Sequence, residues 1–120
     1  MNIHPLLHFL LLLIIVVFIS SCSPHPSAGN WKAVGENTLG ITELKILFEG
    51  KAEFTMTLKD KTEWHCFWAA QDETNISMNC VPSTDTERRE LFDFSVNSNN
   101  QGELSQDGKK ISDFQRQAYK

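Results

Sequence analysis

Apolar and polar residues alternate at two-residue spacing along most of the chain beyond residue 43. In the clearest run, 52–58, Ala52, Phe54, Met56 and Leu58 alternate with polar neighbours. Because successive side chains of a β-strand point to opposite faces, this spacing predicts a strand with one buried face. The same spacing recurs at 44–48, 64–70, 76–80 and 91–96, followed by a short piece at 103–105 and a last strand near 110–116.

Polar turn-type residues separate these runs, at 49–51, 60–62, 71–75, 97–102 and 107–108. Only 86–91 has a composition that would suit a single helical turn. Seven or eight short strands with close turns predict an all-β domain. We expect a small antiparallel β-meander that closes into a barrel or a curled sandwich.

A different pattern occupies the N-terminus, where residues 6–19 are nearly all Leu, Ile, Val or Phe, interrupted by His8. A run of about 14 residues is shorter than the ~20 that span a membrane, and it is typical of a signal peptide. We therefore separate residues 1–21 from the fold. Residues 22–29, rich in Pro and Ser, suggest an extended tether, and 30–120 form one β-domain.

Cys66 and Cys80 are placed symmetrically about residue 73, in the middle of the turn at 71–75. In that register Cys66 faces Cys80, and the pairs Trp68 with Met78 and Ala70 with Ile76 share the same face. The sequence therefore predicts a disulfide across two adjacent antiparallel strands. A metal or redox role is disfavoured because the spacing is not CxxC and His65 points to the other face.

The chemistry suggested by the remaining residues is sparse. The net charge of −4 disfavours nucleic acid as a partner, and no nucleophile, phosphate-loop or metalloprotease motif is present. We therefore expect no enzyme, no catalytic residues, no metal and no cofactor. Trp31, Trp64 and Trp68 either line an apolar pocket or fill the core. Phe67, on the opposite strand face, is a candidate contact for a protein partner.

The residues Ile19, Ser20, Ser21 and Cys22 resemble the lipobox of bacterial lipoproteins. The resemblance implies cleavage before Cys22, which then carries diacylglycerol and further acyl chains such as palmitate, a stable membrane anchor. Ser23, rather than Asp, follows the cysteine. By the same resemblance this favours the outer membrane, with the domain facing the periplasm.

Gly29, Asn30 and Trp31 resemble the GxW signature of lipocalin-like barrels. That resemblance implies that Arg116, in the last strand, stacks on Trp31 and closes one end of the barrel. The overall plan also resembles periplasmic lysozyme-inhibitor lipoproteins.

Three functions follow as alternatives. The first is a non-enzymatic module that binds or inhibits a periplasmic protein, for example through the segment 81–90. The second is a small lipocalin-like carrier of apolar ligands or lipid. The third is an accessory, pilotin-type lipoprotein of an envelope assembly. A densely packed interior would disfavour the carrier.

Overall fold

The computed structural model describes residue 8 and the segments 24–57 and 61–118, and the two segments form an all-β domain. The predicted signal peptide (apart from residue 8), the lipobox with Cys22, residue 23, residues 58–60 (which include the end of one predicted strand and the start of the turn predicted at 60–62) and residues 119–120 lie outside the described residues. The described residues form eight strands: β1 (Gly29–Val34), β2 (Ile41–Leu47), β3 (Lys51–Met56), β4 (Thr62–Ala70), β5 (Asn75–Pro82), β6 (Glu90–Val96), β7 (Gln101–Gln106) and β8 (Lys109–Arg116).

Each strand pairs antiparallel with the next, and β8 pairs antiparallel with β1, so the sheet closes into a barrel. Closure leaves no unpaired sheet edge, which protects strands as apolar as β2 from association with other chains. The predicted all-β barrel is confirmed, with eight strands. No helix occurs within 24–57 or 61–118: of residues 86–91, 86–87 form a turn, 88–89 are irregular and 90–91 begin β6.

The hairpin of β4 and β5 has the predicted register. Cys66 pairs with Cys80, Trp68 with Met78 and Ala70 with Ile76. A disulfide joins the two cysteines, whose Cα atoms lie 4.0 Å apart. Both cysteines are buried, so the bond crosses the inner face of the barrel wall.

The core fills the barrel with inward side chains from all eight strands. Its centre is aromatic, and the Phe94 ring lies 5.1 Å from that of Trp31 and 6.0 Å from that of Phe114. Toward the other end, Phe54 lies 6.0 Å from Trp64 and 5.6 Å from Phe92. The Phe54 and Trp64 rings are stacked and the other three pairs are edge-to-face, and both arrangements are favourable for aromatic rings at these distances.

Antiparallel connectivity assigns every turn to one of two ends. The N-terminal end of the barrel holds the start of β1, the end of β8 and the β2–β3, β4–β5 and β6–β7 turns. The opposite end holds the β1–β2, β3–β4, β5–β6 and β7–β8 connections. Among the described residues, no helix has the length and apolarity that a membrane crossing requires.

The position of Phe48 corrects one expectation. The alternation of Leu44, Ile46 and Phe48 predicts that all three face the core, but β2 ends at Leu47 and Phe48 lies in the turn, 79% exposed. The turn begins early because Gly50 adopts φ +89° and its N–H bonds the Leu47 carbonyl. A left-handed residue there reverses the chain within three residues.

Candidate functional site

Arg116 and Trp31 meet at the N-terminal end of the barrel. The two residues are direct partners between β8 and β1, and the guanidinium carbon lies 4.3 Å from the centroid of the Trp31 ring. Arg116 Nη1 donates to the Ala28 carbonyl at 2.7 Å, and Nη2 donates to the Pro26 carbonyl. The cation thus stacks on the ring and holds the preceding segment.

Gly29 is needed at this position for two reasons. Its φ of +139° is strained for any residue with a side chain, and a Cβ would lie 2.6 Å from Arg116 Nη1. The glycine of the Gly29, Asn30, Trp31 motif therefore makes room for the guanidinium that covers Trp31.

Residues 25–28 of the predicted tether are hydrogen-bonded to this end of the barrel. Ser27 is fully buried, and its carbonyl accepts a hydrogen bond from Trp31 Nε1 at 2.8 Å. The Ala28 N–H bonds the His25 carbonyl, which turns the chain back on itself. Small and proline residues fit here because they pack against the barrel end without a large side chain.

His25 joins this segment to the β4–β5 turn. The Ser27 N–H donates to His25 Nδ1 at 3.1 Å, so Nδ1 is an acceptor and Nε2 carries the proton. His25 Nε2 then donates to the Asp72 carbonyl at 2.8 Å. The His25 ring also lies 5.8 Å from that of Trp68.

Trp68 is half-buried and connects two turns of the same end. Its indole Nε1 donates to the Leu47 carbonyl at 2.7 Å, and its backbone N–H donates to the Gly50 carbonyl. Trp68 therefore fixes the β2–β3 turn against β4.

Trp64 lies at the opposite end, so the three tryptophans do not gather around one space. Its ring is buried against Phe54, and the guanidinium carbon of Arg88 lies 5.5 Å from its centroid. Its Nε1 finds no hydrogen-bond partner among the described residues. Sequence reasoning missed Arg88 because it lies in a connection without periodicity.

The interior of the barrel is packed. Ile76, Met78, Cys80, Phe94, Leu104 and Phe114 are each 0% exposed. A cavity large enough for water would leave measurable exposure on the side chains that line it. Trp31 and Trp64 therefore belong to the core. A hollow of about 430 Å³ on the outer wall has polar side chains of Ser95, Glu103 and Asp113 in its lining.

The outer wall carries a short apolar row, which we call the Phe67 row: Phe67, Asn79 and Leu91. Phe67 pairs with Asn79, and Asn79 pairs with Leu91, so the three outward side chains are neighbours across β4, β5 and β6. Phe67 is 70% exposed and Leu91 is 61% exposed. Between them, the buried Asn79 Oδ1 has no hydrogen-bond partner among the described residues.

The exposure of Phe67 agrees with its predicted outward orientation. Asn79 and Leu91 were not singled out from the sequence, although the symmetry about residue 73 already places Asn79 beside Phe67. Leu91 follows only when the β5–β6 register is known, and the irregular connection 83–89 hides that register.

Glu53, Glu63 and His65 form a cluster on the same wall, with one potential ligand atom of each within 4.8 Å of the others. The Lys45 ammonium lies 3.8 Å from Glu53, and the His65 ring lies 3.8 Å from Glu63. Acidic side chains at a protein surface commonly cluster in this way without a metal, and we assign none to this cluster.

Comparisons with models of known protein families, with curated proteins and with solved structures found no match to this chain.

Proposed function

We propose that this chain is a lipid-anchored lipoprotein of the bacterial cell envelope whose barrel binds a protein partner in the periplasm without catalysing a reaction. Processing before Cys22 would leave the acylated cysteine close to the barrel. The lipobox residues Ile19 to Cys22, behind an apolar run of signal-peptide length, support the anchor.

The packed interior of the barrel is the observation that favours a protein-binding module over a carrier of apolar ligands. A carrier of apolar ligands needs an open volume inside the barrel, typically about 300–1,000 Å³ for a drug-sized ligand. Here Phe94, Phe114, Ile76 and Met78 occupy that volume. The stacking of Arg116 on Trp31 beside Gly29 supports a lipocalin-like barrel. Because its interior is filled, this barrel would bind its partner on the outer wall.

The Phe67 row is the surface that best fits this role. Two exposed apolar side chains, Phe67 and Leu91, lie on either side of Asn79, and the centres of protein interfaces are built around such apolar anchors. A partner that covers Phe67 and Leu91 would remove their apolar area from water. The partner could also be a component of an envelope assembly. In that case the same surface would serve the accessory, pilotin-type function.

Mass spectrometry of the membrane-extracted protein tests the anchor. We expect a lipid adduct on an N-terminal Cys22. A Cys22→Ala variant that is still processed and still fractionates with membranes would overturn this part of the proposal.

A photo-crosslinking amino acid placed at residue 67 or residue 91 tests the binding surface. We expect both positions to give one adduct of the same mass in cells. The same group at Lys32, exposed on β1, is the matched control and should give none. Equal adducts at all three positions would contradict the assignment. Stoichiometric binding of a fluorescent fatty acid to the purified protein would favour the carrier instead.

A further inference from the structure

The lipid anchor of the proposed function has a geometric consequence for the whole domain. Cys22 is three residues before His25, and three residues of fully extended chain span at most about 11 Å. A cysteine whose acyl chains lie in a bilayer therefore holds His25 close to the lipid headgroups.

Residues 25–28 are attached to the barrel, not free to act as a spacer. His25 bonds the carbonyl of Asp72 in the β4–β5 turn, and Arg116 at the end of β8 bonds the carbonyls of Pro26 and Ala28. The Ser27 carbonyl accepts from Trp31 in β1. Three separate elements of the N-terminal end are thus tied to the segment that follows the anchor.

Phe48 lies at the same end and is 79% exposed, the largest exposure among the large apolar side chains of the described residues. Its turn is held by the Trp68 indole, which bonds the Leu47 carbonyl at 2.7 Å. An aromatic side chain on a rigid turn is suited to the interfacial region of a bilayer, where apolar area leaves water and the backbone stays hydrated.

The charges of this end determine which lipid it fits. Glu49, Asp72 and Glu73 lie in its turns, and Lys51 and Arg116 lie beside them. An anionic bilayer attracts clusters of Lys and Arg, so it offers no electrostatic attraction to a surface of mixed and slightly acidic charge. Zwitterionic headgroups fit it better.

We propose that the N-terminal end of the barrel lies directly against a zwitterionic lipid surface, with Phe48 inserted among the headgroups. This inference rests on the proposed anchoring at Cys22. The connection 83–89 then points away from the membrane, and the Phe67 row on the side wall stays open to a partner in the periplasm.

Fluorescence of the full-length, lipidated protein on phosphatidylcholine vesicles tests this orientation. A Phe48→Cys variant carries one free thiol for an environment-sensitive dye, because Cys22 is alkylated by lipid and Cys66 is bonded to Cys80. A Thr86→Cys variant, exposed at the opposite end, is the matched control. Lipids that carry a quencher just below the headgroups report the depth of each dye.

We expect the dye at residue 48 to shift to the blue and to be quenched at least threefold more than the dye at residue 86. Arg116→Ala releases residues 26 and 28, so the protein should still float with vesicles while quenching at residue 48 falls. Its thermal unfolding must show that the barrel stays folded at the assay temperature.

The outcomes separate the two proposals. A protein that floats with vesicles but shows equal quenching at residues 48 and 86 is anchored, and the orientation is then wrong. Stronger quenching at residue 48 on vesicles rich in phosphatidylglycerol would overturn the zwitterionic preference. A protein without a lipid adduct that does not float would overturn both the anchoring and the orientation.

Discussion

The guanidinium of Arg116 stacks on the ring of Trp31 at 4.3 Å, and the two residues pair directly across the seam between β8 and β1. The first and last strands meet at this seam, so the stack joins the two ends of the domain. The same guanidinium holds the carbonyls of Pro26 and Ala28. One side chain therefore closes the barrel and docks the segment that precedes it.

Replacing Arg116 with Ala should lower the free energy of unfolding by about 1–3 kcal/mol, through loss of the stacking and of two charge-assisted hydrogen bonds. Arg116→Lys keeps the charge but not the planar fork, and should recover less than half of that loss. Urea unfolding measures both. The hydrogen exchange of Ser27 and Ala28 amides should accelerate in each variant.

Trp31→Ala serves as the comparison, because it removes a buried ring and should cost about 3–5 kcal/mol. If Arg116→Ala left both the unfolding free energy and the exchange of Ser27 unchanged, the stack would make no contribution to closure.

The Cys66–Cys80 disulfide should contribute a large share of the stability of this small domain. The two cysteines are 14 residues apart, and closing a loop of about 15 residues stabilises a fold by ~3 kcal/mol in the chain-entropy model. A Cys66→Ala, Cys80→Ala double variant should therefore unfold at a lower urea concentration than the oxidised protein. The reduced wild-type protein is the control, and it should resemble the variant. If the oxidised wild type, the reduced wild type and the double variant gave coincident unfolding curves, the prediction would be wrong.

The hairpin and the seam could be predicted because independent signals agreed on them. The symmetry of Cys66 and Cys80 about the turn gives the same register as the alternation of Trp68 and Met78. At the seam, the resemblance of Gly29, Asn30 and Trp31 to the GxW signature implied that Arg116 in the last strand stacks on Trp31.

Other features could not be predicted because periodicity carries no information about them. Alternation continues through Phe48, and only the left-handed conformation of Gly50 ends the strand earlier. Ser27 is small and polar, and it is buried where Trp31 bonds its carbonyl and Arg116 bonds the carbonyls of Pro26 and Ala28. Arg88 lies in an irregular connection and Leu91 follows it, so spacing alone predicts neither the contact of Arg88 with Trp64 nor the place of Leu91 in the Phe67 row.

The carboxyl group of Asp72 should titrate below its usual value of 3.8. The Asn75 side-chain amide, and next the Thr74 N–H, donate to its carboxylate and lower its pKa. A pKa that is lower in the folded state stabilises the fold above pH 3.8, and that contribution disappears as the pH falls through the folded value. Carboxyl NMR titration measures this midpoint. Asn75→Ala should raise it, and a wild-type midpoint at or above 3.8 would refute the prediction.

Gly102→Ala should destabilise the barrel although the backbone of Gly102 is not left-handed. A Cβ there would collide with the ring of Phe94, meeting its Cζ and lying 2.8 Å from Cε2. Phe94 cannot move aside, because it is fully buried between Trp31 and Phe114. Overpacking of this kind costs about 1–3 kcal/mol, whereas Gly→Ala at an unstrained site stabilises by about 0.4–1 kcal/mol.

The sign of the change in unfolding free energy therefore shows which effect of Gly102→Ala is larger: the collision with the Phe94 ring, which destabilises the fold, or the reduced backbone entropy of the unfolded chain, which stabilises it. Ser105→Ala, on the same strand, is the control and should stay within about 0.5 kcal/mol of the wild type. Phe94→Leu should relieve the clash, so its cost should be smaller in the Gly102→Ala background than in the wild type. Urea unfolding of the wild type, the two single variants and the double variant measures the coupling free energy between the two positions. A value of zero would show that the Phe94 ring does not contact Gly102.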